Sequence, residues 1–306
     1  MGDDHSDCHG RIAQTAARKS GPRAVATQHA GDFEMKTMVR ELTRKIHIYE
    51  PLRRVSDGFK WSKTYEYFHD AMHPKSKRAK RGELALFRSL VPAGATCFDI
   101  GANIGGKASI YLEHHCRVIA LEPVPRNVEI LRMRFGRNPC ITLVNMAVSD
   151  SVGQATLNVI EDNTSFSSFS KSWAESLQTA ASNRWGIVMN PPTALVVQTT
   201  TLDLLIAQYG APYYIKVDVE GHELSVLRGL TQRVPLLSFE ANLPEFQQET
   251  HDCVAALLEI DPSARFNYAT EWQDRWQLPE WQSGPAFQRL LATTPLRFME
   301  IYCRSI

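Results

Sequence analysis

The spacing of apolar positions changes several times along the chain, and each change predicts an element. Residues 1–34 are polar, glycine-containing and without period, which predicts a disordered tail. From there Met35, Met38, Val39, Leu42, Ile46 and Tyr49 share one helical face, and Pro51 stops that helix. Trp61, Tyr65, Tyr67 and Phe68 form a helix-like aromatic stretch. Glu83 to Val91 is apolar enough to pack on a sheet edge before Pro92-Ala93-Gly94 ends it. The pattern predicts a helical N-terminal extension over 35–91 and a folded domain over 92–306.

Past residue 95 the period alternates. Thr96–Ile100, Arg117–Leu121 and Ile141–Asn145 read as buried strands, with helical spacing over Ile104–His114 and Arg126–Phe135 between them. Ala155, Leu157 and Val159 alternate within Gly153–Val159, which predicts another strand. Residues 161–195 break the rhythm with polar residues and scattered aromatics, the composition of a lid or substrate loop. The alternation then resumes. Thr201-Leu202-Asp203 starts a helix, Tyr213–Val217 is a strand, and Leu224, Leu227 and Leu230 mark the following helix. Leu236–Phe239 is a strand ending in Glu240, Phe246–Leu258 is helical, and Arg265–Tyr268 and Leu296–Tyr302 are strand-like. A repeating strand–helix order predicts an α/β fold, a mostly parallel sheet with helices on both faces and a ligand outside the carboxyl ends of the strands.

Composition adds bounds. The chain has 306 residues, 43% of them hydrophobic and 22% charged, values typical of a globular protein with a sizeable core. A formal net charge of +1 selects neither nucleic acid nor an anionic membrane, and no apolar run is long enough to span a bilayer. The acidic start M-G-D-D-H lacks the apolar stretch of a secretion signal. The six cysteines are scattered without a C-x-x-C, so buried, reduced thiols and a cytoplasmic location are expected. Lys75 to Arg81 holds five basic residues in seven, read as a solvated helix start.

The candidate chemistry sits at strand ends. In T-C-F-D-I-G-A-N-I-G-G, Asp99, Gly101, Asn103 and Gly105 belong to a tight loop between a strand and a helix. The spacing is not G-x-G-x-x-G, and the carboxylate of Asp99 opposes a pyrophosphate at that helix start. It suits a cationic amino-acid group instead. About twenty residues on, Glu122-Pro123 occupies the place where an acid binds ribose hydroxyls. A ribose-bearing ligand with an ammonium group and no phosphate points to S-adenosylmethionine. Asn145-Met146-Ala147 and Asp218 fall at two further strand ends, so Met146, Ala147 and Asp218 join the candidate cofactor site. Asp218, Glu220 and His222 follow one strand closely, and each can take a proton from a hydroxyl. Asp218, Glu220 and Glu240 also raise the question of Mg²⁺, but no histidine–carboxylate spacing demands a metal and none is expected.

D-I-G-A-N-I-G, A-L-E-P-V-P, N-M-A-V-S-D-S-V-G, T-T-T-L-D and I-K-V-D-V-E-G-H-E-L-S-V-L-R-G-L occur in that order over residues 96–240. This set resembles the FkbM family of S-adenosylmethionine-dependent methyltransferases. The resemblance implies a Rossmann-like class I methyltransferase fold, with a seven-stranded, mostly parallel sheet and an antiparallel last strand. It also implies O-methylation of a sugar, glycolipid or secondary-metabolite hydroxyl, with Asp218 and Glu220 in the motif D-x-E-G-x-E and His222 in its open slot. Two other readings remain. Asn190-Pro191-Pro192-Thr193 resembles the N-P-P-aromatic motif of nucleic-acid amino-group methyltransferases, although threonine cannot stack on a flipped base. A non-catalytic cofactor-binding interaction protein is the third.

Overall fold

A computed structural model describes residues 74–160, 167–170, 178, 189–270 and 275–305. The expected tail over 1–34, the helix from Met35, the aromatic stretch at 61–68 and most of the expected lid lie outside the described residues. All described residues belong to one unit, Gly58–Ile306.

Helix α1 (Pro74–Leu90) buries Leu84 and Phe87, with Val91 just beyond it, while Arg78 and Arg81 of its basic run are exposed. That is a solvated helix face, as the charge pattern predicts. Strand β1 (Thr96–Ile100) follows, then α2 (Gly106–Glu113), β2 (Arg117–Leu121), α3 (Pro125–Phe135) and β3 (Ile141–Val144). After β4 (Ala147–Val148), β5 (Gly153–Val159) and β6 (Thr193–Thr200), the alternation returns with α4 (Leu202–Tyr209), β7 (Tyr214–Val217), α5 (Glu223–Arg228) and β8 (Leu236–Asn242). The Thr201 side chain accepts from Leu204 N and caps α4. Helix α6 (Gln247–Ile260), β9 (Arg265–Ala269), β10 (Gln282–Ser283), α7 (Gly284–Thr293) and β11 (Phe298–Arg304) complete the order.

The main sheet runs β10-β9-β11-β8-β7-β1-β2-β3. Strands β3, β2, β1, β7 and β8 pair in parallel, and β11 is antiparallel to both its neighbours, β8 and β9. The sheet thus holds the seven expected strands, with the antiparallel one last in sequence, plus the two-residue edge strand β10. The last two long strands do pair, Ile301 opposite Tyr268, but through β10 and α7 rather than as a tight hairpin. Strands β4, β6 and β5 form a separate three-stranded sheet.

Successive residues of a strand face opposite sides, and here the two sides differ. Phe98, Ile100, Ile215, Val217, Phe239 and Ile301 pack with α4, α5, α6 and α7 in one apolar core. Cys97, Val118 and Tyr214 pack with α1 and α2 in the other. The chain leaves β1 for β2 in one direction and returns to β7 on its other side, so the strand order reverses between β1 and β7. That is where open α/β sheets leave a crevice. Cys97, Cys116, Cys253 and Cys303 are free and buried, as expected, whereas Cys140 is free and exposed in the turn before β3.

Candidate active site

The two central strand tips are brought together by a missing side chain. Gly101 follows β1 at φ 82, and a Cβ there would lie 1.8 Å from the Asp218 carbonyl oxygen. Glycine lets the β1 loop and the β7 loop run in contact, and Asp218 N donates to Ile100 O at 3.0 Å across that seam. Two residues on, Asn103 adopts φ 50, a conformation asparagine tolerates, and its backbone N donates to Glu122 Oε2 at 2.8 Å. The other oxygen of Glu122 accepts from Val124 N at 2.9 Å and Asn127 Nδ2 at 3.1 Å. Burial pushes the Glu122 carboxyl up to about 7, against the pull of these donors. Just after β3, Asn145 Nδ2 donates to the carbonyls of Glu122 and Pro123 at 2.9 and 3.0 Å, tying the β2 tip to the β3 end.

These tips enclose a cleft of about 210 Å³. Gly101, Asn103, Glu122 and Pro123 form one wall, and Met146, Ala147, Val148 and Leu157 an apolar second. Asp218, Val219 and Glu220 close the third side with Phe169. Seven of the nine residues expected at the cofactor therefore line one cleft: Gly101, Asn103, Glu122, Pro123, Met146, Ala147 and Asp218.

Asp99 and Gly105 do not line it. Alternation along β1 turns Asp99 away from Phe98 and Ile100, onto the side facing α1 and α2, where it is 1% exposed. Its Oδ2 has no hydrogen-bond partner among the described residues, and burial pushes the carboxyl up to about 6 despite the nearby Lys216. Gly105, at φ 82, answers to packing instead: a Cβ there would meet the Phe135 ring at 2.4 Å.

On that same side a polar row crosses four strands. Asp99 on β1 lies opposite Lys216 on β7, Lys216 opposite Ser238 on β8, and Glu240 on β8 opposite Glu300 on β11. Lys216 is 1% exposed; its Nζ donates to Asp218 Oδ2 at 2.6 Å and lies 3.8 Å from Glu240 Oε1. Its carboxylate neighbours hold it protonated, well above the usual lysine range, although burial opposes this. Ser238 Oγ donates to Glu300 Oε1 at 2.7 Å and meets the Tyr214 hydroxyl at 2.6 Å. At the upper end of this row, oxygens of Asp218, Glu220 and Glu240 all lie within 4.8 Å of one another. Burial, then Asp218, pushes Glu240 up to about 8.

The loop after β7 is pinned from two directions. Glu223 is buried and accepts from Val219 N at 3.3 Å and Gly221 N at 3.0 Å, and burial pushes its carboxyl up to about 8. Glu220, lining the cleft, holds φ 52, and its carbonyl accepts from Ser168 Oγ. The last carboxylate of D-x-E-G-x-E, Glu223, is thus a backbone clamp. His222 is not a lining residue. It sits at the N-terminus of α5, with Nε2 3.1 Å from Ser149 Oγ and its ring 4.6 Å from that of Phe169. Burial lowers its pKa, and Asp150 opposes this. Sequence reasoning missed Phe169, Lys216 and the clamping role of Glu223. Lys216 alone left a signal, a lysine within an otherwise apolar buried strand.

A family model described as the methyltransferase FkbM domain matches residues 99–268. The hexuronic acid methyltransferase AglP of Haloferax volcanii is 27% identical over 168 residues, 53% of this chain and 62% of that protein. The chain thus spans less than two thirds of that relative's length. Among solved structures, a precorrin-6y C5,15-methyltransferase from Geobacter metallireducens matches with TM-score 0.37 at 12% identity, covering 74% of this chain and 86% of that one. A TehB-like SAM-dependent methyltransferase from Corynebacterium glutamicum matches with TM-score 0.36 at 11% identity, over 74% and 88%.

Proposed function

The chain belongs to the FkbM methyltransferase family, whose cofactor is S-adenosylmethionine, and on that footing we propose that it methylates a hydroxyl group of a saccharide or similar small molecule. The observation that carries this reading is the single cleft at the strand-order reversal, which gathers Glu122 and Asp218 from separate strand tips. The donor set fits the cofactor. Glu122 stands in the ribose place, its position fixed by Asn103, Val124 and Asn127. Met146, Ala147, Val148 and Leu157 offer the apolar surface that an adenine ring needs. Asp218 and Glu220 would supply the negative charge that favours a sulfonium and its amino-acid tail. The bound cofactor supplies an activated methyl group, so the protein's own work is alignment, exclusion of water and removal of a hydroxyl proton.

Asp99, set behind the loop, contributes charge to the row under the site rather than a direct contact. His222 acts through Phe169 and Ser149 by holding the wall. The sugar class of acceptor rests on the resemblance to AglP, named for hexuronic acid methylation. Asn190-Pro191-Pro192-Thr193 leads into β6 and does not line the cleft, so no observation favours the nucleic-acid reading. Among the described residues no helix is long and apolar enough to cross a membrane.

The test is incubation with methyl-labelled cofactor and a panel of hexuronic acids, hexoses and their glycosides, read by mass spectrometry. Label on a sugar hydroxyl is expected. Label on nucleic-acid amines instead would reject the reading. Glu122→Ala should weaken cofactor binding about 10–100-fold by titration calorimetry, the weight of hydrogen bonds to a charged group.

A further inference from the structure

Two basic stretches far apart in sequence come together outside the cleft, and methyl transfer leaves them without a task. Lys80 belongs to the basic run on α1, and Arg132, Arg134 and Arg137 stand in the last turn of α3 and just past it. All four line one open groove of about 850 Å³ against α2. We propose that this groove holds the carboxylates of an acidic oligosaccharide, the chain on which the acceptor hydroxyl is carried. The proposal deepens the saccharide reading and rests on it.

Local structure does not account for the charge. Arginines in the last turn of a helix offset the negative end of its dipole, which explains Arg132 and Arg134. Arg137 lies beyond the Gly136 cap, and Lys80 arrives from another helix. Arg132 and Arg137 are exposed and form no ion pair among the described residues. Glu113 is the one carboxylate among the described residues that line the groove. A chain of net charge +1 has no general excess of cations, so four on one concave surface are a local concentration.

The lining chooses among anions. A guanidinium presents a planar fork that matches a carboxylate. Arg134 is held in place: its Nη1 donates to the Ile104 carbonyl and its guanidinium lies 4.8 Å over the Phe135 ring. Leu112, Met133 and Phe135 add apolar surface between the charges, with Met133 44% exposed. That mixture suits a sugar chain, whose rings offer carbon faces to the apolar side chains and carboxylates to the cations. A nucleic-acid strand needs aromatic faces for its bases. Phe135 is the single aromatic among the described residues lining the groove, and one of its faces is taken by Arg134.

Groove and cleft share a loop. Asn103 lines the cleft, the next carbonyl, of Ile104, accepts from Arg134, and the Phe135 ring stands against Gly105. An acceptor chain leaving the cleft over residues 103–105 meets the Arg134 end of the groove first.

The test uses the full chain and three probes: a galacturonate tetramer, the same tetramer with its carboxyls reduced to alcohols, and single-stranded DNA of matched charge. Binding is read by titration calorimetry at low and at physiological salt. Wild type should bind the acidic tetramer, lose affinity as salt rises, and ignore the reduced one. Arg132→Gln/Arg137→Gln should weaken that binding about 5–10-fold and flatten its salt dependence, with cofactor affinity as in wild type. Arg275→Gln/Arg289→Gln removes the same charge from exposed positions outside the groove and should leave binding unchanged. In turnover, the groove variant should raise KM for the tetramer but not for the monomer, at constant kcat. The proposal is overturned by an acidic tetramer that does not bind, by equal weakening in both double variants, or by an unchanged tetramer KM. Tighter binding of the DNA through the same arginines overturns it too. Binding through the groove without methylation of any sugar hydroxyl overturns the underlying saccharide reading rather than the groove.

Discussion

On one side of the main sheet Phe98, Ile215, Phe239 and Ile301 meet the helices α4 to α7, and none of these strand positions carries a charge. On the other, Asp99, Lys216, Glu240 and Glu300 lie at neighbouring register positions under α1 and α2, all of them at least half-buried. The same backbone therefore carries two kinds of interior. The apolar side is held by transfer from water and close packing, which are indifferent to protons. The polar side depends on two ammonium groups, Lys216 and Lys107, compensating several carboxylates, and its stability must follow pH. The lesson is that burial alone does not mark a side as structural. The charged side costs stability, and it is the side whose upper end opens on the cleft.

That contrast can be broken at its strongest point first. Phe239→Ala should cost about 3–5 kcal/mol by urea denaturation, the same at pH 6 and pH 9. Lys216→Met should also cost about 3–5 kcal/mol, but with a loss that grows across that range. Burial pushes Asp99 up to about 6 and Glu240 up to about 8 in the folded chain, above the ordinary carboxyl values of 3.8 and 4.5. Between those limits the folded state binds more protons than the unfolded one, so stability falls as pH rises and levels off above 8. Removing Lys216 raises both carboxyls further and extends the fall. Equal pH slopes in the two variants would erase the distinction between the sides.

Gly101→Ala acts where the sides meet, at the contact with Asp218 O. Strain at φ 82 and the overlap should cost about 1–3 kcal/mol and abolish cofactor binding in calorimetry. The finest comparison pairs Ser238→Ala with Ile301→Val, each expected to cost about 1 kcal/mol by thermal unfolding. The first should lose its stability by leaving Glu300 Oε1 and the Tyr214 hydroxyl without the serine between them, the second by a methyl-sized void. Restoring the hydroxyl with Ser238→Thr should therefore recover only the first.

The strands and helices with clean periodicity, β1, β2, α2, α3 and β7, were legible in the sequence because burial alone sets their spacing. Strand β6 was not, since Asn190-Pro191-Pro192 and the aromatics before it read as loop and its partner β5 is remote in sequence. Helix α7 starts at Gly284-Pro285, a pair that signals a turn. At the site, Gly101, Glu122 and Asp218 were legible because ligands gather at strand ends. Asp99 does not line the cleft, and parity was legible there: one step from Phe98 and from Ile100 turns its side chain to the other face of the sheet. Phe169 could not be found from sequence, since its place depends on Ser168 reaching Glu220, 52 residues away.

Strand β11 sits between β8 and β9, although both precede it in the chain. Until it arrives, β8 presents an open edge of backbone donors and acceptors, and β9 has no long partner. Synthesis on the ribosome thus exposes a sticky ribbon for the whole interval between residues 242 and 298. Premature stops in that interval would yield chains whose cleft walls are already encoded but which are prone to clump through that bare border.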